Sequence, residues 1–148
     1  MAGCVRKCGS VSPESRKRYT ESLANVLASS DGQERFRSFL ESRGFVGDAD
    51  TLTFWALCNK LINRHHGANI TAYRLRKLKM KTKRVAEFAE EQDVNLDAGE
   101  LERLHSAADC DDAASILGTL EDARQSAFNL LGDKHSLFCV HLLKSRKT

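Results

Sequence analysis

The chain has 148 residues, 41% of them hydrophobic and 29% charged, with one Pro, nine Gly and a formal net charge of +3. That size and balance fit one compact helical domain and argue against a largely disordered chain, and so small a net charge does not call for a nucleic-acid partner. No apolar run approaches the roughly 18 residues of a membrane span and the N-terminus lacks the apolar core of a signal peptide, so a cytoplasmic chain is expected.

Residues 1–14 read as a flexible tail ending in Ser12-Pro13, and residues 15–148 as the folded domain. Cys4 and Cys8, beside Arg6 and Lys7, carry two readings: part of a disordered tail, or acylation sites that would hold the chain at a membrane. The five cysteines, at 4, 8, 58, 110 and 139, are odd in number and widely spaced, with no CxxC pair. They are expected to be reduced thiols with no structural zinc, Cys58 belonging to a core.

Helical periodicity starts near Tyr19, with Leu23, Val26 and Leu27 in step, and halts at Ser29-Ser30-Asp31-Gly32. Asp31 with Glu34 has the form of a capping box for the next helix, which carries Phe36, Phe39 and Leu40 on one face and stops at Gly44. Asp48 to Thr51 read as a polar connection. Leu52, Trp55, Cys58 or Asn59, and Ile62, with Phe54, Leu57 and Leu61 beside them, then predict a helix apolar on more than one side, ended by Gly67.

Positions 71 to 91 predict a long helix with the stripe Leu75, Leu78, Val85, Phe88 and Ala89, and Leu101 with Leu104 a shorter one after Asp97. Asp109 to Asp112 form an acidic N-terminal signal for a further helix, which keeps its period from Ile116 to Leu131 and is expected to stop at Gly132-Asp133. A short last helix is expected over 136–145. No stretch alternates as a strand would, so the fold class is all-α, a single bundle of about seven to nine helices.

Catalysis needs convergent groups, and none is legible. The histidines at 65, 66, 105, 135 and 141 have no HExxH spacing, and His65-His66 fall at a helix end where an imidazolium would suit the negative pole of the dipole. No phosphate-binding glycine loop and no GxSxG turn is present. The expectation is a chain that is not an enzyme and takes neither metal nor cofactor. Seven of the eleven positions from 74 to 84 are basic: Arg74, Arg76, Lys77, Lys79, Lys81, Lys83 and Arg84. This block reads either as a solvated helix face or as a docking surface for an acidic peptide, an acidic protein or anionic lipid, with nucleic acid behind these because no stacking aromatics are interleaved.

Two blocks of sequence add a resemblance. "SLANVLASSDGQERFRSFL" at 22–40 and "LTFWALC" at 52–58 resemble the "SLxxLLxxxxGxxxFxxFL" and "LxFWxAC" patterns of RGS domains, the regulators of G-protein signalling, and "DARQSAFNLL" at 122–131 is similar to their "DAQxxxYxLM" helix. Within that family "ESLANVLASSDGQERFRSFL" and "GDADTLTFW" look closest to the axin branch. The resemblance implies an RGS-like bundle in which Phe36, Phe39, Phe54 and Trp55 are packing residues.

In axins it further implies a noncatalytic scaffold that docks the Ser-Ala-Met-Pro repeats of APC in the β-catenin destruction complex, negatively regulating Wnt signalling. Cytoplasmic, nuclear or membrane-associated locations and further destruction-complex partners are all compatible with such a role. The peptide groove is expected beside the 33–43 and 52–66 helices, near Arg37, Glu41, Lys60 and Arg64, with Arg74 and Lys77 of the basic helix as its flank. Members that speed GTP hydrolysis on Gα subunits carry a Glu-Asn pair where this chain has Asp50-Thr51, and a Tyr-Pro-Arg run that "HSLFCVHLLKS" lacks. GTPase activation through a Gα-contact loop at Asp50 and Thr51 is the alternative reading.

Overall fold

A computed structural model describes residues 10–67 and 69–145, and among these it is all-helical, with no strand. The seven helices are α1 (Pro13–Glu21), α2 (Leu23–Leu27), α3 (Ser30–Ser42), α4 (Val46–His65), α5 (Ala72–Glu91), α6 (Ala98–Ala107) and α7 (Ala113–Ser145). No helix of the described residues is long and apolar enough to cross a membrane. Cys4 and Cys8 lie outside the described residues. The chain divides into two compact units, Met1–Ala49 with Leu131–Thr148, and Asp50–Leu130.

In the first unit, helix starts are set by serines. Ser12 caps α1, its hydroxyl accepting from Ser15 N–H at 3.1 Å, with Pro13 in the first turn. Ordered structure therefore begins inside the stretch read as tail, and Val11 is already buried. Ser22, in extended backbone, separates α1 from α2 and caps α2 through Asn25 N–H. Ser29 caps α3 through Gly32 N–H at 3.0 Å.

The capping box expected from Asp31 and Glu34 does not start this helix. Asp31 accepts instead from the Tyr19 hydroxyl at 2.6 Å and from Arg35 Nε at 2.9 Å. Those two donors lower its carboxyl pKa against the opposing effect of partial burial, which is the largest single influence. Gly32 is required by contact: a Cβ there would stand 2.1 Å from the Val26 carbonyl oxygen.

The first unit's core gathers Tyr19, Val26, Phe36, Phe39, Leu40 and Phe138. Phe138 lies 5.2 Å from Phe36 and 5.4 Å from Phe39 between ring centroids, in tilted geometries that avoid face-to-face repulsion. α3 ends as expected at Gly44, whose φ of +76° permits a Schellman turn, with Phe45 N–H donating to Leu40 O and Gly44 N–H to Glu41 O. The Phe45 carbonyl then accepts from Ala49 N–H, so α4 follows at once. Asp48 to Thr51, expected as a connection, are helical: Asp48 sits in the first turn, where a carboxylate suits the positive pole, and it pairs with Lys134 at 3.2 Å.

The second correction concerns α7, a continuous 33-residue helix where a stop at Gly132-Asp133 and a separate helix over 136–145 were expected. A glycine ends a helix when it turns to positive φ and its neighbours' amides find the last carbonyls. Among the described glycines only Gly44 and Gly67 do so. Leu131, Phe138 and Leu142 keep one buried stripe running past Gly132.

In the second unit α5 opens on Thr71, whose hydroxyl accepts from Arg74 N–H, and α6 opens on a full capping box between Asp97 and Glu100. α5 packs against α6. Phe54, Cys58, Leu78, Leu104, Ile116 and Leu120 are fully buried, and Trp55 nearly so. Burial pushes the Cys58 thiol up to about 12, so it is a protonated core residue, as its apolar setting predicts. Phe54 and Trp55, like Phe36 and Phe39 in the first unit, are thus spent on packing.

Candidate functional site

The second unit carries a groove between α4 and α5 of about 220 Å³. Its floor is apolar, made by Leu57 and Leu61 of α4 and Val85 of α5, and its rim is basic, made by Lys60 and Arg64 of α4 and Lys81 and Arg84 of α5. The arrangement follows from helical spacing. Leu57, Lys60, Leu61 and Arg64 recur at i, i+3, i+4 and i+7, which places them on one face, and Lys81, Arg84 and Val85 do the same on the facing helix.

No rim cation has a carboxylate within ion-pair distance among the described residues. The consequence is visible at Lys81, whose pKa is lowered first by Arg64, then by slight desolvation and by Lys77, Lys60 and Arg84. Like charges held together without a counter-ion make a field that favours an anionic visitor.

One hydrogen bond braces the groove's end. Arg74 Nη2 donates to the Arg64 carbonyl at 3.1 Å, linking the last turn of α4 to the first turn of α5 across the turn at Gly67, whose φ is +69°. Beside it His65 is 3% exposed, and its Nδ1 has no hydrogen-bond partner. The imidazolium expected there from the helix dipole is disfavoured. Burial comes first among the causes that lower the His65 pKa, followed by Arg74, Arg64 and Lys81.

Of the residues singled out in the sequence, Lys60 and Arg64 line this groove. Arg74 braces it, and Lys77 is an exposed member of α5 that contributes to the field on Lys81. Arg37 and Glu41 belong to α3 in the first unit and are not part of its lining: Arg37 is half-buried and its Nη1 donates to the Ala49 carbonyl at 3.3 Å, while Glu41 is exposed.

The Gα-contact loop expected at Asp50 and Thr51 is not a loop. Both residues are in the second turn of α4, where Thr51 is 4% exposed and Asp50 half-buried. Lys81 and Arg84 were read only as members of the basic block at 74–84 and not as part of the peptide groove, and the apolar floor was missed, although their helical spacing to one another was readable in the sequence.

The groove's lining has no thiol, hydroxyl, imidazole or carboxylate, so its chemistry is apolar burial with anion pairing. A second, more open hollow is lined by Arg103, Ser106 and Cys110 of α6 and its following turn, with Ser115 and Thr119 of α7, and three of these side chains are engaged locally, Thr119 Oγ1 donating to the Ser115 carbonyl at 3.0 Å. Ser115 donates to Asp112 Oδ2 at 2.7 Å, and Cys110 Sγ accepts from Asp112 N–H. Among the described residues no three His, Cys, Asp or Glu side chains are grouped as a metal site. No family model matches the chain, and no curated protein or solved structure matches it either.

Proposed function

We propose that this chain is an RGS-like domain of the axin type, a noncatalytic docking module for the Ser-Ala-Met-Pro repeats of an APC-like protein in the β-catenin destruction complex, and so a negative regulator of Wnt signalling. The observation that carries the proposal is the groove between α4 and α5, an apolar floor inside a ring of four cations that have no carboxylate partners among the described residues. The resemblance of residues 22–58 and 122–131 to the family supplies the identity of the peptide. A methionine laid on Leu57, Leu61 and Val85 would contribute about 1.5–3 kcal/mol by burial, and the rim cations would orient carboxylates flanking the repeat and speed association.

GTPase activation through Asp50 and Thr51 is the alternative reading; of that pair Thr51 is buried and Asp50 half-buried, and on the docking reading single-turnover GTP hydrolysis by a Gα subunit should show no marked acceleration. Fluorescence anisotropy of a labelled repeat peptide, with a peptide scrambled over the four positions as control, tests the reading. Saturable binding of the first alone is expected, weakened at least about tenfold by Lys60→Glu with Arg64→Glu and unchanged by Lys17→Glu on α1, a charge reversal outside the groove. Equal binding of both peptides, or none by a folded sample, overturns it.

A further inference from the structure

The face of α5 turned away from the buried stripe has its own pattern. Tyr73, Arg76, Lys77, Met80, Lys83 and Arg84 are all exposed, and at 3.6 residues per turn they share one face about 120° wide. Tyr73 and Met80 run along its middle, 59% and 44% exposed, two of the few large apolar side chains left open to solvent. Arg76 and Lys83 flank them on one side, Lys77 and Arg84 on the other.

The cations stay close to these apolar groups: Arg76 lies 6.0 Å and Lys77 5.3 Å from the centroid of the Tyr73 ring, and Arg84 Nη2 reaches Met80 Sδ at 4.0 Å. None of the four is in an ion pair among the described residues, and the first acid along the face is Glu87, one turn beyond. The other cations of the block are occupied elsewhere. Lys79 pairs with Asp111 at 2.6 Å, Arg74 holds the Arg64 carbonyl, and Lys81 lines the groove.

We propose that this face of α5 seats the protein on an anionic lipid bilayer, Tyr73 and Met80 entering the headgroup region while Arg76, Lys77, Lys83 and Arg84 pair with lipid phosphates and carboxylates. Charge complementarity names the sign of the partner, and the form of the face names its kind. Apart from Arg84 the six residues take no part in the groove between α4 and α5, and all six stand exposed on one side of a single helix, so the surface offers a ridge rather than a receptacle for one peptide. An apolar centre with cations on both sides is what an interfacial helix presents to a bilayer, where buried apolar area and attraction to acidic headgroups act together. An acidic protein would use the cations but gain little from a solvent-facing tyrosine and methionine. The inference does not depend on the peptide reading.

Sedimentation with sucrose-loaded vesicles tests it, using the full chain. Vesicles of phosphatidylcholine containing phosphatidylserine should take the protein down and phosphatidylcholine alone should not. Arg76→Glu with Lys83→Glu should reduce the partition coefficient at least about twenty-fold, taking about fivefold for each cation lost from the surface. Tyr73→Ser with Met80→Ser keeps every charge and should still reduce it several-fold, and helical circular dichroism checks that both variants fold.

Equal binding to both vesicle types, or binding unchanged by the charge reversal, overturns the proposal. Loss on charge reversal with no effect of the serine variant overturns the insertion of Tyr73 and Met80. Binding of polyglutamate but not of vesicles, abolished by the charge reversal, would make the face a protein-docking surface and overturn the lipid assignment.

Discussion

Two glycines of the first unit look alike in sequence and obey opposite rules. Gly32 lies where α2 and α3 come closest, and an added methyl would meet the Val26 carbonyl at 2.1 Å, a backbone atom that cannot swing aside. Gly132 lies in the middle of α7 with nothing within 4 Å of a built Cβ. Gly32→Ala should therefore destabilise by about 2–4 kcal/mol, as overpacked sites do, while Gly132→Ala should stabilise by about 0.5–1 kcal/mol by reducing the freedom of the unfolded chain. Urea unfolding of both variants checks the pair, and a loss of stability in Gly132→Ala would show that α7 needs glycine there.

His65 supports a second expectation at this scale. Its folded-state pKa is lowered, chiefly by burial and then by Arg74, Arg64 and Lys81, so the unfolded chain takes up the proton first. The stability this neutral imidazole contributes is present above the unfolded value near 6.5 and is lost as pH falls through and below it. His141, lowered by burial and by Arg43, acts in the same direction. Thermal unfolding at about pH 7.5 and about pH 5.5 should show a smaller acid-induced drop for His65→Leu than for the parent, His141 accounting for part of what remains. An identical drop would mean that His65 does not titrate differently in the two states.

At the scale of elements, what was legible in the sequence was whatever local chemistry decides alone. Asp97 and Glu100 spell a capping box and form one; Gly44 and Gly67 are predicted stops and take positive φ. The misreadings arose where the same letters answer to distant packing. Asp31-Glu34 also spells a capping box, yet Asp31 is claimed by Tyr19, twelve residues earlier, and Ser29 does the capping. Gly132-Asp133 spells a stop, yet Leu131, Phe138 and Leu142 are buried on one stripe that rewards continuing. The candidate site was half legible for a related reason. Lys60 and Arg64 can be picked from a helix face, but that Lys81 and Arg84 face them depends on how α4 and α5 pair, which no local pattern states.

The continuity of α7 has a direct consequence. Proline is tolerated just past a helix end, but inside a helix it removes a hydrogen bond and collides with the preceding turn, at about 3 kcal/mol or more. Gly132→Pro should cost at least that much and lower the helical ellipticity measured by circular dichroism. Had α7 ended at Leu131, the same substitution would be nearly neutral.

At the scale of the whole molecule, 23 basic and 20 acidic residues leave a net charge of only +3, so the sum says little and the distribution says more. α5 spends its cations in two directions. Lys81 and Arg84 face the groove with Lys60 and Arg64, while Arg76, Lys77, Lys83 and again Arg84 surround the exposed Tyr73 and Met80. Arg84 belongs to both surfaces and Lys77 of the outer face also acts on Lys81 of the groove, while screening over roughly 8 Å at physiological salt weakens the coupling between their more distant members.

Three charge reversals should then separate. Lys60→Glu should weaken the repeat peptide about five- to tenfold and leave vesicle binding intact, because it belongs to the groove alone. Arg76→Glu should do the opposite, since it belongs to the outer face alone. Arg84→Glu should weaken both, and an excess of anionic vesicles should compete partially with the peptide on the parent protein. Anisotropy and sedimentation in one buffer read all three. If Arg84→Glu affects a single ligand, the two surfaces are independent and competition should vanish with it.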